Sequence, residues 1–142
     1  MRQRKFFLSA LLTVAFLVLP IMVFAQKVVD EKQAVDKVAI RGVSVKDHVI
    51  SGEVVNQSLN VIRNVELLFQ YHWLWKNETH PGENPPGRAV YITLDKELRP
   101  GESMSFIHAP RPALSSRDDG RFMHEVALAG FTEVIPQTVS SR

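Results

Sequence analysis

The chain has no cysteine among its 142 residues. That excludes a disulfide framework, a thiolate nucleophile, a thiolate zinc site and a lipid attached through an N-terminal cysteine. An excess of one charge is missing as well, with 17 Lys and Arg against 15 Asp and Glu. No run of cations is long enough to neutralise a string of phosphates, so nucleic-acid binding has no electrostatic support. Glycine and proline number 7 and 8, too few for a collagen-like or low-complexity chain. Long hydrophobic runs are missing too, except at the very start.

That exception is Phe6 to Ala25, 20 residues without a charge, preceded by Arg2, Arg4 and Lys5 and interrupted by Pro20. A basic start, an apolar stretch, a helix breaker and the ending Val23-Phe24-Ala25 describe a helical secretory signal peptide over 1–25, cut after Ala25. The competing reading is an uncleaved anchor, since 20 apolar residues suffice to cross a hydrocarbon core of about 30 Å. Either way the cations stay in the cytoplasm, so the rest of the chain is expected to be exported, periplasmic or extracellular. An uncleaved anchor would be its one membrane contact. Without residues 1–25 the cations fall from 17 to 14 against 15 acids, a net charge of −1. The remaining 117 residues can bury a core that needs no staples.

Residues 26–37 are mostly polar, with valines and alanines too scattered to form a face, and read as a linker. From Val38 short apolar alternations are separated by turn residues. Val38 to Val45 around Gly42 predicts a first strand, Lys46-Asp47 a tight turn, and His48 to Val55 a second strand with Ile50, Gly52 and Val54 on one face. From position 65 every odd residue is large and apolar: Val65, Leu67, Phe69, Tyr71, Trp73, Trp75. A period of two in β-branched and aromatic residues means a strand with one buried face. Its length, about twice the usual, predicts a bulge or an end that projects past the core, with Trp73 and Trp75 near the rim. Asn77 to Gly87 is a Pro-rich loop, Arg88 to Leu94 a strand, and Leu98 to Ser103 a Pro-Gly turn. Met104, Phe106 and His108 alternate in the next strand, Ala109 to Arg121 is a second long loop, and Phe122 to Phe131 closes the fold. Residues 137–142 are a polar tail. The expectation is a single all-β domain over 38–136, an antiparallel sandwich of six or seven strands.

Three stretches carry a family resemblance: Ile50-Ser51-Gly52-Glu53-Val54-Val55-Asn56-Gln57-Ser58, then Ile62-Arg63-Asn64-Val65-Glu66-Leu67, then Leu98-Arg99-Pro100-Gly101-Glu102-Ser103-Met104-Ser105-Phe106. Over about residues 38–108 the chain resembles the FxLYD-type domains of exported bacterial proteins, whose pattern runs V-x-G-x-V-x-N, a hydrophobic strand, then L-x-P-G-E-S-x-x-F. The resemblance implies an immunoglobulin-like sandwich without an established enzymatic activity, and it brings no catalytic residue onto this chain. Where the family has Tyr-Asp after the central strand, this sequence has Tyr71-His72-Trp73-Leu74-Trp75, followed by a longer loop.

Chemistry is sparse. Gly101-Glu102-Ser103-Met104-Ser105 lacks the last glycine of a nucleophile elbow and sits in a strand-to-strand turn. The histidines His48, His72, His80, His108 and His124 have no helical zinc spacing, although His108 and His124 would face one another if their strands paired. Asp118-Asp119 before Gly120 suits a turn. The sequons at Asn56 and Asn77 are read as coincidental. No cofactor or metal is expected. Tyr71, Trp73 and Trp75 stand out, because Trp and Tyr dominate interface hot spots. The expectation is therefore a non-enzymatic exported interaction module that binds a protein or envelope component, with Trp73 and Trp75 as its partner-binding residues. The alternative is a small hydrolase or metal-dependent enzyme using the histidines.

Overall fold

Seven β-strands and no helix occur in residues 24–30 and 36–137, the part of the chain that the computed structural model describes. They are β1 (Phe24–Asp30), β2 (Val38–Lys46), β3 (Val49–Asn56), β4 (Val61–Trp75), β5 (Gly87–Leu94), β6 (Ser103–His108) and β7 (Gly120–Pro136). One sheet has the order β1-β7-β4-β5 and the other β2-β3-β6, and every pairing is antiparallel. The core draws on both sheets: Val38, Ile50, Val54 and Phe106 meet Ile62, Val65, Leu67, Phe69, Tyr71 and Phe131. Two apolar faces closing on each other remove both from water, the dominant favourable term in folding.

The first segment differs from the expected linker. Residues Phe24 to Asp30 pair with β7, from Phe24 opposite Pro136 to Asp30 opposite Gly130. Val28 there is 80% exposed, so backbone hydrogen bonding rather than burial places this edge strand. A short edge strand without alternation, whose partner lies a hundred residues away, leaves no local periodicity to read. Phe24 and Ala25, the end of the expected signal segment, belong to β1; the rest of that segment and its signal helix, with residues 138–142 of the tail, lie outside the described residues.

The β2–β3 turn falls one residue later than expected. Lys46 pairs with Val49, and Asp47 and His48 occupy the turn with φ of 50° and 66°. Two positive φ values in a two-residue hairpin match the right-handed twist of the flanking strands, and Asp and His tolerate them better than most side chains. The turn takes His48 out of the strand and up to the end of the sandwich. Along β3, Ile50 and Val54 are fully buried, and Gly52 lies under the Phe106 ring, where a Cβ would meet the ring tip at 2.7 Å.

The strand β4 carries its length by a bulge. Its register against β7 shifts between Arg63 and Leu67, and Asn64 has φ of 49°. An extra residue on each strand resets the alternation. Ile62 is therefore buried ahead of the odd series Val65, Leu67, Phe69, Tyr71 and Trp73, and Phe131 and Glu133 follow Leu128 inward on β7. β7 runs to Pro136, past the expected end at Phe131, because the same correction lets it keep an inward face.

At the end where β3 leads to β4, Asn56 is wholly buried. Its amide donates to the carbonyls of Asn60 and Leu98, and its Oδ1 accepts from the backbone and hydroxyl of Ser58. Close by, Glu133 is 2% exposed and accepts from Asn60 and from the Lys37 ammonium. The expected Pro-Gly turn is present, with Gly101 at φ 80° and the Glu102 amide donating to Arg99.

Candidate functional site

The opposite end of the sandwich, where β4 finishes, gathers the aromatic residues. Trp73 and Trp75 both fall on the odd positions of β4, yet their surroundings differ. Trp73 is 4% exposed and Trp75 41%. Of the two indoles expected near the rim, Trp73 is covered and Trp75 is the one that faces water. Phe122, opposite Trp73 in the β7 register, stands edge-on to it with ring centres 4.8 Å apart. The Trp75 ring centre lies 6.1 Å from that of Trp73, and its plane is nearly perpendicular. Such edge-to-face pairs suit the quadrupoles of the rings. Gly120, opposite Trp75, lets the β7 backbone come in beneath: a Cβ there would strike the Leu74 carbonyl and lie 2.6 Å from the Trp73 indole.

Arg117, in the loop before β7, completes the wedge. Its guanidinium carbon lies 5.1 Å from the Trp73 ring centre and 5.2 Å from that of Trp75. Asp119 holds it there through two hydrogen bonds, one from Nε at 2.9 Å. That bond keeps the Asp119 carboxyl below its ordinary value and the guanidinium above its own. A planar cation over the face of two indoles is the favourable geometry for a cation–π contact.

Two loops are fastened to this strand end. The amide of Trp73 donates to Pro86 and that of Lys76 to Asp119. The Trp75 amide donates to the Glu78 carboxylate at 3.1 Å, and Arg88 reaches across to the Pro112 carbonyl. Between them lies an open groove of about 350 Å³ walled by Trp73, Trp75, Pro86, Arg88, Leu114, Arg117 and Phe122. A smaller cavity of about 230 Å³ adjoins it, shared by Trp73, Arg117 and Phe122 and reaching His48 and Arg121. The indole Nε1 of Trp73 is buried without a hydrogen-bond partner.

The condition under which His108 and His124 would face one another is not met. β6 and β7 belong to different sheets, so His108 and His124 are not cross-strand neighbours. His108 packs on Phe69 with ring centres 4.5 Å apart, and burial lowers its proton affinity. His124 instead meets His48, at 2.8 Å between ring nitrogens. Among the described residues no three His, Asp or Glu side chains are placed to hold one metal ion. Ser103, in the sequence that falls short of a nucleophile elbow, donates its hydroxyl to Glu53 across the β3–β6 ladder. A second, larger groove opens between the outer edges of β5 and β6, walled by Val90, Ile92 and Ile107, the last 77% exposed.

The sequence pointed to Trp73 and Trp75 but not to Arg117, Phe122 or the His48–His124 pair. Arg117 sits in a polar loop without periodicity, 42 residues after Trp75, and only the fold brings it over the indoles. Phe122 and His124 were legible as one inward face of β7, though what they meet was not. No family model, no curated protein and no solved structure matches this chain.

Proposed function

We propose that this protein is a non-enzymatic, exported interaction module with an immunoglobulin-like sandwich, and that it binds another protein or an envelope component at the groove between Trp73, Trp75 and Arg117. The observation that carries the reading is the half-exposed Trp75, held in a fixed orientation by Arg117 and flanked by an open groove. A large aromatic already held in place loses little entropy when a partner covers it, and Trp and Arg are the side chains most enriched at binding hot spots. The strand order supports the immunoglobulin-like part. β2-β3-β6 corresponds to strands A, B and E, β5-β4-β7 to C′, C and F, and β1 takes the edge beside F that the last strand G ordinarily fills. The shared turn chemistry at Gly52 to Asn56 and Pro100-Gly101 fits the FxLYD-type resemblance. The cationic start and 20-residue apolar run support export.

The test is photocrosslinking in cells, with a benzophenone amino acid at position 75 of the full chain and, for comparison, at the exposed Tyr91 on β5. A discrete adduct from position 75, absent from position 91, is the expected result, and the adduct should be found outside the cytoplasm. Equal, diffuse labelling from both positions would count against the groove as a partner site. A cytosolic adduct would count against export.

A further inference from the structure

His48 and His124 meet nitrogen to nitrogen across the two sheets. His48 stands on the β2–β3 turn and His124 on β7, where no backbone ladder joins the two sheets. Nδ1 of His48 lies 2.8 Å from Nε2 of His124, the ring centres are 5.1 Å apart, and the ring planes differ by 22°. The centre-to-centre distance is what the N···N length and the two ring radii give when laid end to end. The two lone-pair directions therefore oppose each other instead of converging on a third point. A metal ion would need the rings to move apart; a proton fits them as they stand.

The count of protons decides what this contact can do. A neutral imidazole has one donor and one acceptor nitrogen, so the neutral pair makes one hydrogen bond. A single added proton keeps the bond and strengthens it by charge. A second sets N–H against N–H with two like charges in contact, and the bond is lost. We propose that His48 and His124 form a proton-operated latch between the two sheets, closed while the pair carries at most one extra proton and released when both imidazoles are charged, which uncovers the inner wall of the Trp73 groove.

Phe122 links the latch to the groove. Its ring stands edge-on to His48 at 5.7 Å and edge-on to Trp73 at 4.8 Å, so displacing His48 removes one of the ring contacts that hold Phe122 against the groove. A second side-chain tie from the β2 side to β7, Lys37 to Glu133, lies at the far end of the sandwich and does not hold this one. The titratable and charged groups around the pair come from several elements. Tyr71 on β4 places its ring edge-on to His124 at 5.6 Å, and His108 on β6 lies beyond it, 6.1 Å from the Tyr71 ring. Asp47 precedes His48 on the turn, and Arg117 and Arg121 border the small cavity that His48 lines. Of these, Arg117 is paired with Asp119, and Asp47 is exposed and screened by water. Burial, and then the facing His48, depress the proton affinity of His124, which sets the release on the acid side of the ordinary histidine range.

The latch concerns the groove of the proposed function, but its test reads the opening of the groove and not a partner, so either idea can fail alone. The full chain carrying Trp75→Phe, which leaves Trp73 as its single tryptophan, is titrated from about pH 8 to about pH 4.5, across the histidine range. Histidine NMR resonances and acrylamide quenching are followed together, in the presence of a chelator. The expected result is a coupled two-step titration of His48 and His124, with a several-fold rise in Trp73 quenching that accompanies the second step. His124→Gln keeps an amide for His48 and cannot take up a proton, so it should abolish the rise. His48→Gln should do the same from the other sheet, and His108→Gln should leave the rise in place. Independent single-step titrations of the two histidines would overturn the latch, as would a Trp73 that stays shielded when both are charged. Persistence of the rise in both glutamine variants would overturn it too, and so would resonances that move when the chelator is omitted at constant pH.

Discussion

The side-chain amide of Asn56 donates to the backbone carbonyl of Leu98 at 2.9 Å, which joins the end of β3 to the connection between β5 and β6 across 42 residues. The same amide reaches Asn60, and the Asn56 oxygen accepts from Ser58, so one buried side chain satisfies two connections at once.

Asn56→Ala should therefore cost about 3 kcal/mol, because it removes four hydrogen bonds from a buried site, although the Leu98 carbonyl keeps the Ile62 amide and the Asn60 carbonyl keeps the Ser58 hydroxyl. Asn56→Asp should be nearly as damaging, since a carboxylate cannot donate to Leu98. Urea unfolding measures both, and a loss under about 1 kcal/mol for Ala would show that water replaces the side chain.

Phe69 is 1% exposed and contacts Phe106 from the opposite sheet at 5.7 Å between ring centres. Phe69→Ala should cost about 3–5 kcal/mol and lower the midpoint without changing the slope of the unfolding curve. A neutral result would mean that the two sheets do not close on this residue.

The two tryptophans should separate cleanly. Trp73→Ala removes a buried indole and should cost about 3–5 kcal/mol. Trp75→Ala should cost about 1 kcal/mol, the cation–π contact with Arg117. In the native chain at neutral pH acrylamide should quench one emitter and spare the other. Two shielded emitters would place Trp75 in the core.

Glu133 sets an acid limit to stability. Burial alone would raise its carboxyl, but the Asn60 amide and the Lys37 ammonium, with Lys27 beyond, outweigh it and hold the group below its ordinary value. A carboxyl more acidic in the folded than the unfolded state stabilises the fold above its ordinary value of 4.5, and that contribution disappears as the pH falls toward the folded value. Glu133→Gln should flatten this part of the stability profile. Lys37→Met should cost about 1–2 kcal/mol near neutrality, less than breaking a fully buried pair, because Lys37 keeps contact with water. Thermal unfolding as a function of pH reads both effects.

Much of the architecture could be read along the chain because it depends on neighbours in sequence. The alternation from Val65 to Trp73 follows from the pleat, which sends successive side chains to opposite faces, and the Pro100-Gly101 turn follows from the dihedral angles those two residues favour. Ile50, Gly52 and Val54 share a face for the same local reason. That β4 needs a bulge or a projecting end follows from its length, but the place of the bulge at Asn64, the strand β1 and the continuation of β7 to Pro136 were not legible. Each is set by a pairing register between distant segments, and an edge strand without alternation or the position of an extra residue in a ladder changes no local pattern.

The candidate site divides in the same way. Aromatic residues at the end of β4 are a property of the sequence alone, and so are a cationic start and an apolar run at the N-terminus. That Trp73 is covered while Trp75 is open, that Arg117 lies over both, and that His124 meets His48 instead of His108 depend on which sheet each strand joined and on how two loops fold over one strand end. Contacts of this kind link residues far apart in sequence, and they form only once the two sheets have closed. The physical reason is that an ion–aromatic wedge or a shared proton depends on distances of a few ångströms between atoms, which chain order does not fix for residues dozens of positions apart.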